Sequence, residues 1–239
     1  MKIIGLDISL DHGGFVALNE DGQVLDYCYL TNVKKNADID FKHSIFLSKR
    51  GKVEPKEVFR LRRLNEYLEA LMVFERRVSM FSVPGYYSIE GYSYRSASTS
   101  ICQIAELTGH IKHYLFEHGG QIRVHDPLSV KLFATDKGNA SKKEMVEQAL
   151  LAFDISEGLI KKKIIKKKGA LIEEFDGVGT DLADSYFLAR MLYKELQLRS
   201  GSILLSQLNE GERRIFLRTT RGYPVNILDR EFIHKVEGE

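Results

Sequence analysis

Three observations predict an α/β fold, a mixed sheet flanked by helices. The first thirty residues hold three apolar runs parted by turn signals, which reads as an antiparallel meander. Beyond residue 56, stretches of helical periodicity alternate with short apolar strands, an order that implies a mixed sheet and not an all-parallel one. Two of the strands, Lys2-Ile3-Ile4-Gly5-Leu6-Asp7 and Tyr87-Ser88-Ile89-Glu90, run from apolar residues into a carboxylate. That pattern suits interior strands covered on both faces, with chemistry at their carboxyl ends.

In chain order, the first strand leads through a polar turn containing Gly13 and Gly14 to Phe15-Val16-Ala17-Leu18. The Asp21-Gly22 turn then returns the chain along Gln23 to Leu30. Residues 33–55 are polar and basic, broken by Ile45-Phe46-Leu47, an extra strand or a packed loop. Val58, Leu61, Leu64, Leu68, Leu71 and Met72 recur at helical spacing and predict an amphipathic helix over 56–77. Pro84-Gly85 launches the strand that carries Glu90. A helix over 98–117 is striped by Ile101, Ile104, Leu107, Ile111 and Leu115, and Gly119-Gly120 stops it. A strand at 121–125 follows, then Asp126-Pro127 turning into a short helix through Lys131. Ser141 and Glu144 form a capping box for a helix over 141–153. After a segment containing the lysine-rich run 161–168, the last core helix runs from about Asp181 to Leu198.

A chain of 239 residues suits one sizeable α/β domain with additions. The expected division is one core domain over 1–198, with insertions near 33–55 and 155–178, and a C-terminal extension of unassigned fold over 199–239. Hydrophobic content of 44% with 28% charged residues argues against disorder. The net charge of +2 is too small to argue for a nucleic-acid partner by itself. Cys28 and Cys102 lack the spacing of a zinc site or a disulfide framework. No run approaches ~18 apolar residues and no leader opens the chain. The expectation is a soluble protein of a reducing cytosol, without a membrane partner.

The acids carry the functional argument. Asp7 and Glu90 end two strands, and Asp181 and Asp184 lie one turn apart on the last core helix, where such spacing shares a face. The plain reading of that pair is a helix cap and a dipole partner. If all four converge they repel, because like charges ~4 Å apart cost about 4 kcal/mol at an effective dielectric near 20. A bound cation relieves that repulsion. Oxygen donors without a Cys or His cluster suit Mg²⁺ or Mn²⁺, and paired ions of this kind serve phosphodiester cleavage.

In this order, Ile4-Gly5-Leu6-Asp7, then Ile89-Glu90, then Asp181-Leu182-Ala183-Asp184, the chain resembles the RuvC family of Holliday-junction resolvases within the ribonuclease H-like superfamily. Asp126-Pro127-Leu128-Ser129-Val130-Lys131 and Thr135-Asp136-Lys137-Gly138-Asn139-Ala140-Ser141-Lys142-Lys143 resemble the same family's basic segment near the scissile phosphate. The similarity spans roughly residues 2–195. It implies a ribonuclease H-like mixed five-stranded sheet flanked by helices, and a homodimer that cuts branched DNA, the four-way junction, by metal-assisted hydrolysis leaving a 5′-phosphate and a 3′-hydroxyl. It further implies Asp7, Glu90, Asp181 and Asp184 as catalytic ligands of two Mg²⁺ or Mn²⁺ ions. Lys142 would stabilise phosphate charge, and Lys131, Lys137, Lys142 and Lys143 would meet the DNA backbone. The setting would be the cytosol of a bacterium or of a phage-infected host, since the additions make the chain longer than the minimal bacterial form.

Tyr92, Tyr94 and Arg95 could stack on an unpaired base, although they are offset from the family's aromatic wedge. The six lysines of 161–168 are either a phosphate-binding field or a solvated loop. His12 and His125 fall near strand ends that should line the site. Three alternatives stand beside resolution. One is another ribonuclease H-like nuclease, acting on RNA–DNA hybrids or as an exonuclease. The second is a non-catalytic junction-binding protein. The third is the phosphate-binding hairpin of the actin and sugar-kinase fold, which Gly5-Leu6-Asp7 and Gly13-Gly14 also resemble, but which needs two such domains.

Overall fold

A computed structural model describes residues 2–32, 43–78, 85–91, 99–152, 162–167, 170–175, 177–220 and 222–235. β1 (Ile3–Ile8), β2 (His12–Leu18) and β3 (Val24–Thr31) form the expected antiparallel meander. A short β4 (Ser44–Phe46) pairs in parallel with β3. On the other side of β1 lie β5 (Tyr86–Glu90) and β6 (Gln121–His125), both parallel to it, giving the order β4-β3-β2-β1-β5-β6. The five expected strands are all present, and β4 resolves the Ile45-Phe46-Leu47 stretch as a sixth strand at the edge.

Period-two alternation divides β1 between two cores. Ile4, Leu6 and Ile8 face one cluster with Tyr67, Leu71 and Phe74 of α1 (Lys56–Arg77) and Leu107, Ile111 and Leu115 of α2 (Thr99–Glu117). The buried stripe of α1 is Arg63, Tyr67, Ala70, Leu71 and Phe74, while Val58 and Leu61 are exposed. Of the stripe read from the sequence, Leu64, Leu68 and Leu71 meet the core and Val58 and Leu61 do not, because the helix is turned so that Tyr67 and Phe74 reach the sheet.

The opposite face is covered by α3 (Pro127–Thr135), α4 (Lys142–Ala152) and α5 (Gly177–Arg199). Asp126 caps α3, accepting from Ser129 N at 3.1 Å. This helix continues one turn past Lys131 and stops where Asp136 turns left-handed at φ 57°. Ser141 and Glu144 cap α4 reciprocally, at 2.8 and 3.2 Å. Within the insertion, β7 (Lys162–Lys167) and β8 (Ala170–Phe175) pair antiparallel. Most of the lysine run is therefore strand, not loop.

α5 lies unusually close to the sheet. A Cβ on Gly5 would stand 1.9 Å from the Ser185 carbonyl oxygen, and one on Gly14 would stand 2.7 Å from that of Asp181. Only glycine leaves room for backbone to approach backbone in this way.

The C-terminal extension packs on the same core. Leu208, Ile227, and Ile215 and Phe216 of α6 (Glu210–Leu217) are buried with α3 and α5. Arg123 of β6 forms a buried bidentate pair with Glu195 of α5, at 2.6 and 3.0 Å. It also donates to the carbonyls of Arg230 and Glu231. Among the described residues no helix is long and apolar enough to cross a membrane.

Gly5→Ala is expected to push α5 off the sheet at a cost of about 1–3 kcal/mol. Thermal melting should fall by several degrees, at roughly 2–4 °C per kcal/mol for a chain of this size. An unchanged melting temperature would show that α5 can shift without penalty.

Candidate active site

Three elements deliver the four acids to one place. β1 and β5 are parallel with Leu6 opposite Ile89, so Asp7 and Glu90 follow side by side at the carboxyl edge of the sheet. α5, seated on Gly5 and Gly14, brings Asp181 and Asp184 over that edge. Ser185 ties the two layers: its Oγ accepts from Asp7 N at 3.2 Å and donates to the Asp181 carbonyl at 2.7 Å.

The bland reading of Asp181 as a helix cap does not hold, because α5 begins one turn earlier at Gly177. Asp181 is instead buried, with 2% exposure, and its Oδ2 lies 2.6 Å from His12 Nδ1. Ser9 Oγ stands 3.1 Å from the same ring nitrogen. The Tyr67 hydroxyl, from α1 on the far side of the sheet, donates to the carbonyls of Ser9 and His12 and so pins the turn between β1 and β2.

The electrostatics record the convergence. Burial raises the Asp7 carboxyl well above the usual range, and the charges of Asp181, Asp184 and Glu90 raise it further. Glu90 is pushed up to about 7, mainly by burial and then by Asp184. Asp184 rises to about 6 through burial and then Asp181. Lys142 opposes the shift at all three, and Lys131 opposes it at Glu90 and Asp184. The hydrogen bond to Asp181 raises the His12 pKa against the effect of burial, favouring a protonated ring.

The basic residues divide. Lys131 on α3 and Lys142 on α4 act on the acids, whereas Lys137 pairs with Glu144 at 2.9 Å and Lys143 with Glu147 at 3.7 Å on the surface. Tyr92, Tyr94 and Arg95 lie outside the described residues, as do Lys161 and Lys168. His125 is buried beside Glu90 in the β5–β6 register, and neither ring nitrogen has a hydrogen-bond partner among the described residues. Burial, then the charges of Arg123 and Arg230, depress its pKa well below the usual value, so it forms a neutral wall of the site. A separate concavity of about 250 Å³ between α1 and α2, lined by Arg50, Lys56, Phe59, Arg60 and Arg63, includes none of the four acids.

Sequence reasoning missed His12 as the partner of Asp181, and Ser185 and Tyr67 altogether. Their contacts join residues 55 to 178 apart in the chain, and the one local signal was Gly13-Gly14, which announced a close approach without naming what approaches.

A sheet of three antiparallel strands continued by two parallel ones, with acids at its carboxyl edge and a helix laid across it, defines a ribonuclease H-like α/β fold. Among solved structures it is RuvC-like. Thermus thermophilus RuvC in complex with Holliday junction substrate aligns with a TM-score of 0.50 at 14% identity, covering 84% of this chain and 98% of that one. A second Thermus thermophilus RuvC structure aligns with a TM-score of 0.48 at 18% identity, covering 84% of this chain and 97% of that one. No protein-family model matches the sequence, and neither does any curated protein.

The raised carboxyls set a pH dependence. Folded Glu90 holds a proton that the unfolded chain releases near 4.5. Its contribution to stability is therefore complete below that value and is lost as pH rises through about 7. In chelator, wild type should lose on the order of 3 kcal/mol relative to Glu90→Gln between pH 4.5 and 8. Urea unfolding of both proteins across that range checks this, and a constant difference between them would contradict it.

Proposed function

We propose that this chain is a metal-dependent, structure-selective endonuclease that resolves four-way DNA junctions as a homodimer. The single observation that carries the reading is the convergence of like charges: Asp7 and Glu90 end adjacent parallel strands, α5 on Gly5 and Gly14 brings Asp181 and Asp184 over the same edge, and Lys131 and Lys142 act on them from α3 and α4. A fold does not maintain such repulsion without use. The RuvC-like architecture supports phosphodiester chemistry as the use.

Asp7, Glu90, Asp181 and Asp184 would hold Mg²⁺ or Mn²⁺. The donors fit in kind, being hard oxygens whose repulsion a divalent cation removes. Among the described residues no three acid, His or Cys side chains already form a finished coordination set. When bound, such ions activate water at neutral pH and stabilise the leaving oxygen.

The chain's own residues do the rest. Lys142 and Lys131 neutralise the scissile phosphate and its neighbour, offsetting the acids that would otherwise repel DNA. His12 orients Asp181 through its Oδ2, while Oδ1 accepts a long hydrogen bond from the Thr180 hydroxyl at 3.4 Å. Ser185 fixes the backbone of Asp7 relative to α5. The expected products are a 5′-phosphate and a 3′-hydroxyl.

Asp7→Asn should cut a four-way junction at least 10³-fold more slowly while binding it as well as wild type does, and chelator should abolish cutting. Cutting that survives either change would point to a non-catalytic junction binder with a contaminating nuclease. Lys142→Ala should slow cutting about 10²-fold with a much smaller loss of binding, the pattern of a group that acts on charge developing in the transition state. Rates on four-way junction, flap, linear duplex and RNA–DNA hybrid, compared on one gel, test substrate choice. Preference for the hybrid would replace resolution with ribonuclease H activity.

A further inference from the structure

We propose that the exposed face of α6 is a backbone-binding track for a duplex arm of the DNA, running outward from the acids. This rests on the nuclease reading above and extends it to a part of the chain which that reading does not use.

Helical phase sorts α6 cleanly. Gly211, Ile215 and Phe216 are buried, while Glu210, Arg213, Arg214, Leu217 and Arg218 share the exposed face. The helix is firmly set. Asn209 and Glu212 cap it reciprocally at 2.7 and 3.2 Å. Gly211 sits so close to α3 that a Cβ there would stand 2.1 Å from Asp136 Oδ1. Between α3 and α6 runs a groove of about 450 Å³, lined by Leu132, Glu210, Arg213, Arg214, Leu217 and Arg218. The lining holds three arginines and one glutamate, with Asp126 beside Arg218 and Asp136 beside Gly211 as further acids, so the positive field rests on Arg213 and Arg214.

Position connects that field to the chemistry. Arg218 Nη1 lies 3.6 Å from Asp126 Oδ2 and 3.4 Å from Ser129 Oγ. Asp126 in turn is among the charges felt by Glu90, and Lys131 follows it on α3. Asp126 follows His125, which lies opposite Glu90 in the β5–β6 register, so its pair with Arg218 sets that arginine beside the catalytic edge, with Arg214 one turn back along α6 and Arg213 next to it. A polyanion bound across the catalytic edge meets arginines next. Their planar guanidinium groups suit phosphate oxygens, and Leu132 and Leu217 accept sugar edges without competing for charge. Arg218 is partly committed to Asp126, so Arg213 and Arg214 are the residues that test the track.

The experiment uses the full chain carrying Asp7→Asn, so that DNA is bound and not cut. Anisotropy of a labelled four-way junction is followed from 50 to 200 mM NaCl. Arg213→Gln with Arg214→Gln should weaken binding about tenfold at 50 mM. It should also flatten the log–log salt slope by about 2, close to one per lost phosphate contact. The corresponding double lysine variant should keep the slope, and Glu210→Gln should tighten binding, a gain that misfolding cannot imitate. Equal affinity and slope in the double glutamine variant, with Glu210→Gln neutral, would overturn the track and leave the nuclease reading standing. A parent that binds no junction at all would overturn both.

Discussion

The site depends on how closely one helix backbone rests on one pair of strands. Gly5 and Gly14 remove the two Cβ atoms that would hold α5 away, and Ser185 fills the resulting contact with hydrogen bonds to both layers. Four carboxylates are thereby brought together against their own repulsion. The opposing force comes from the same helix. Leu182, Ala183, Leu188, Ala189, Met191 and Leu192 are fully buried beneath it, and burial of one such large apolar side chain contributes roughly 1.5–3 kcal/mol. The acids cannot separate unless α5 lifts, and α5 cannot lift without exposing the core.

Around this negative centre the fold sets a positive border. Strand carboxyl ends supply Asp7 and Glu90, and the helices that leave the sheet at the same edge return Lys131 and Lys142 toward them. Among the described residues, Lys137 and Lys143 are engaged by Glu144 and Glu147 at the surface, whereas Lys131 and Lys142 act on the acids. On the nuclease reading proposed above, theirs is the charge that an entering phosphate would meet.

Much of this was legible in the chain itself. The apolar runs into Asp7 and Glu90, the Ser141–Glu144 box and the Asp126-Pro127 start are local signals, and local signals survive folding. The start of α5 was not legible, because Gly177-Val178-Gly179 is a poor helix former whose conformation is decided by packing on the sheet. The lysine run was misjudged for a related reason. Lys-Lys-Ile-Ile-Lys-Lys lacks clean period-two alternation, and its strand character comes from pairing with residues 170–175. In the tail, Asn209 and Glu212 carry the same kind of box, a local signal that the sequence reading passed over in leaving the extension without an assigned fold.

The buried ion pair of Arg123 and Glu195 changes what that tail is. Both side chains are almost fully buried, an arrangement that costs desolvation and persists only when every charge is answered. Here Glu195 also accepts from Arg199 at 2.9 Å, while Arg123 and Arg199 spend their remaining donors on the carbonyls of Ile227, Arg230 and Glu231. Phe232 covers both guanidinium groups, 4.2 and 5.2 Å from their centres. The extension therefore completes a charge network inside the core. Removing it would leave donors of Arg123 on β6, and of Arg199 on the helix that carries Asp181 and Asp184, without their carbonyl partners. α6 in turn packs on α3 and on the 227–229 turn that Arg199 holds to α5, so its arginines and the four acids are carried by one core.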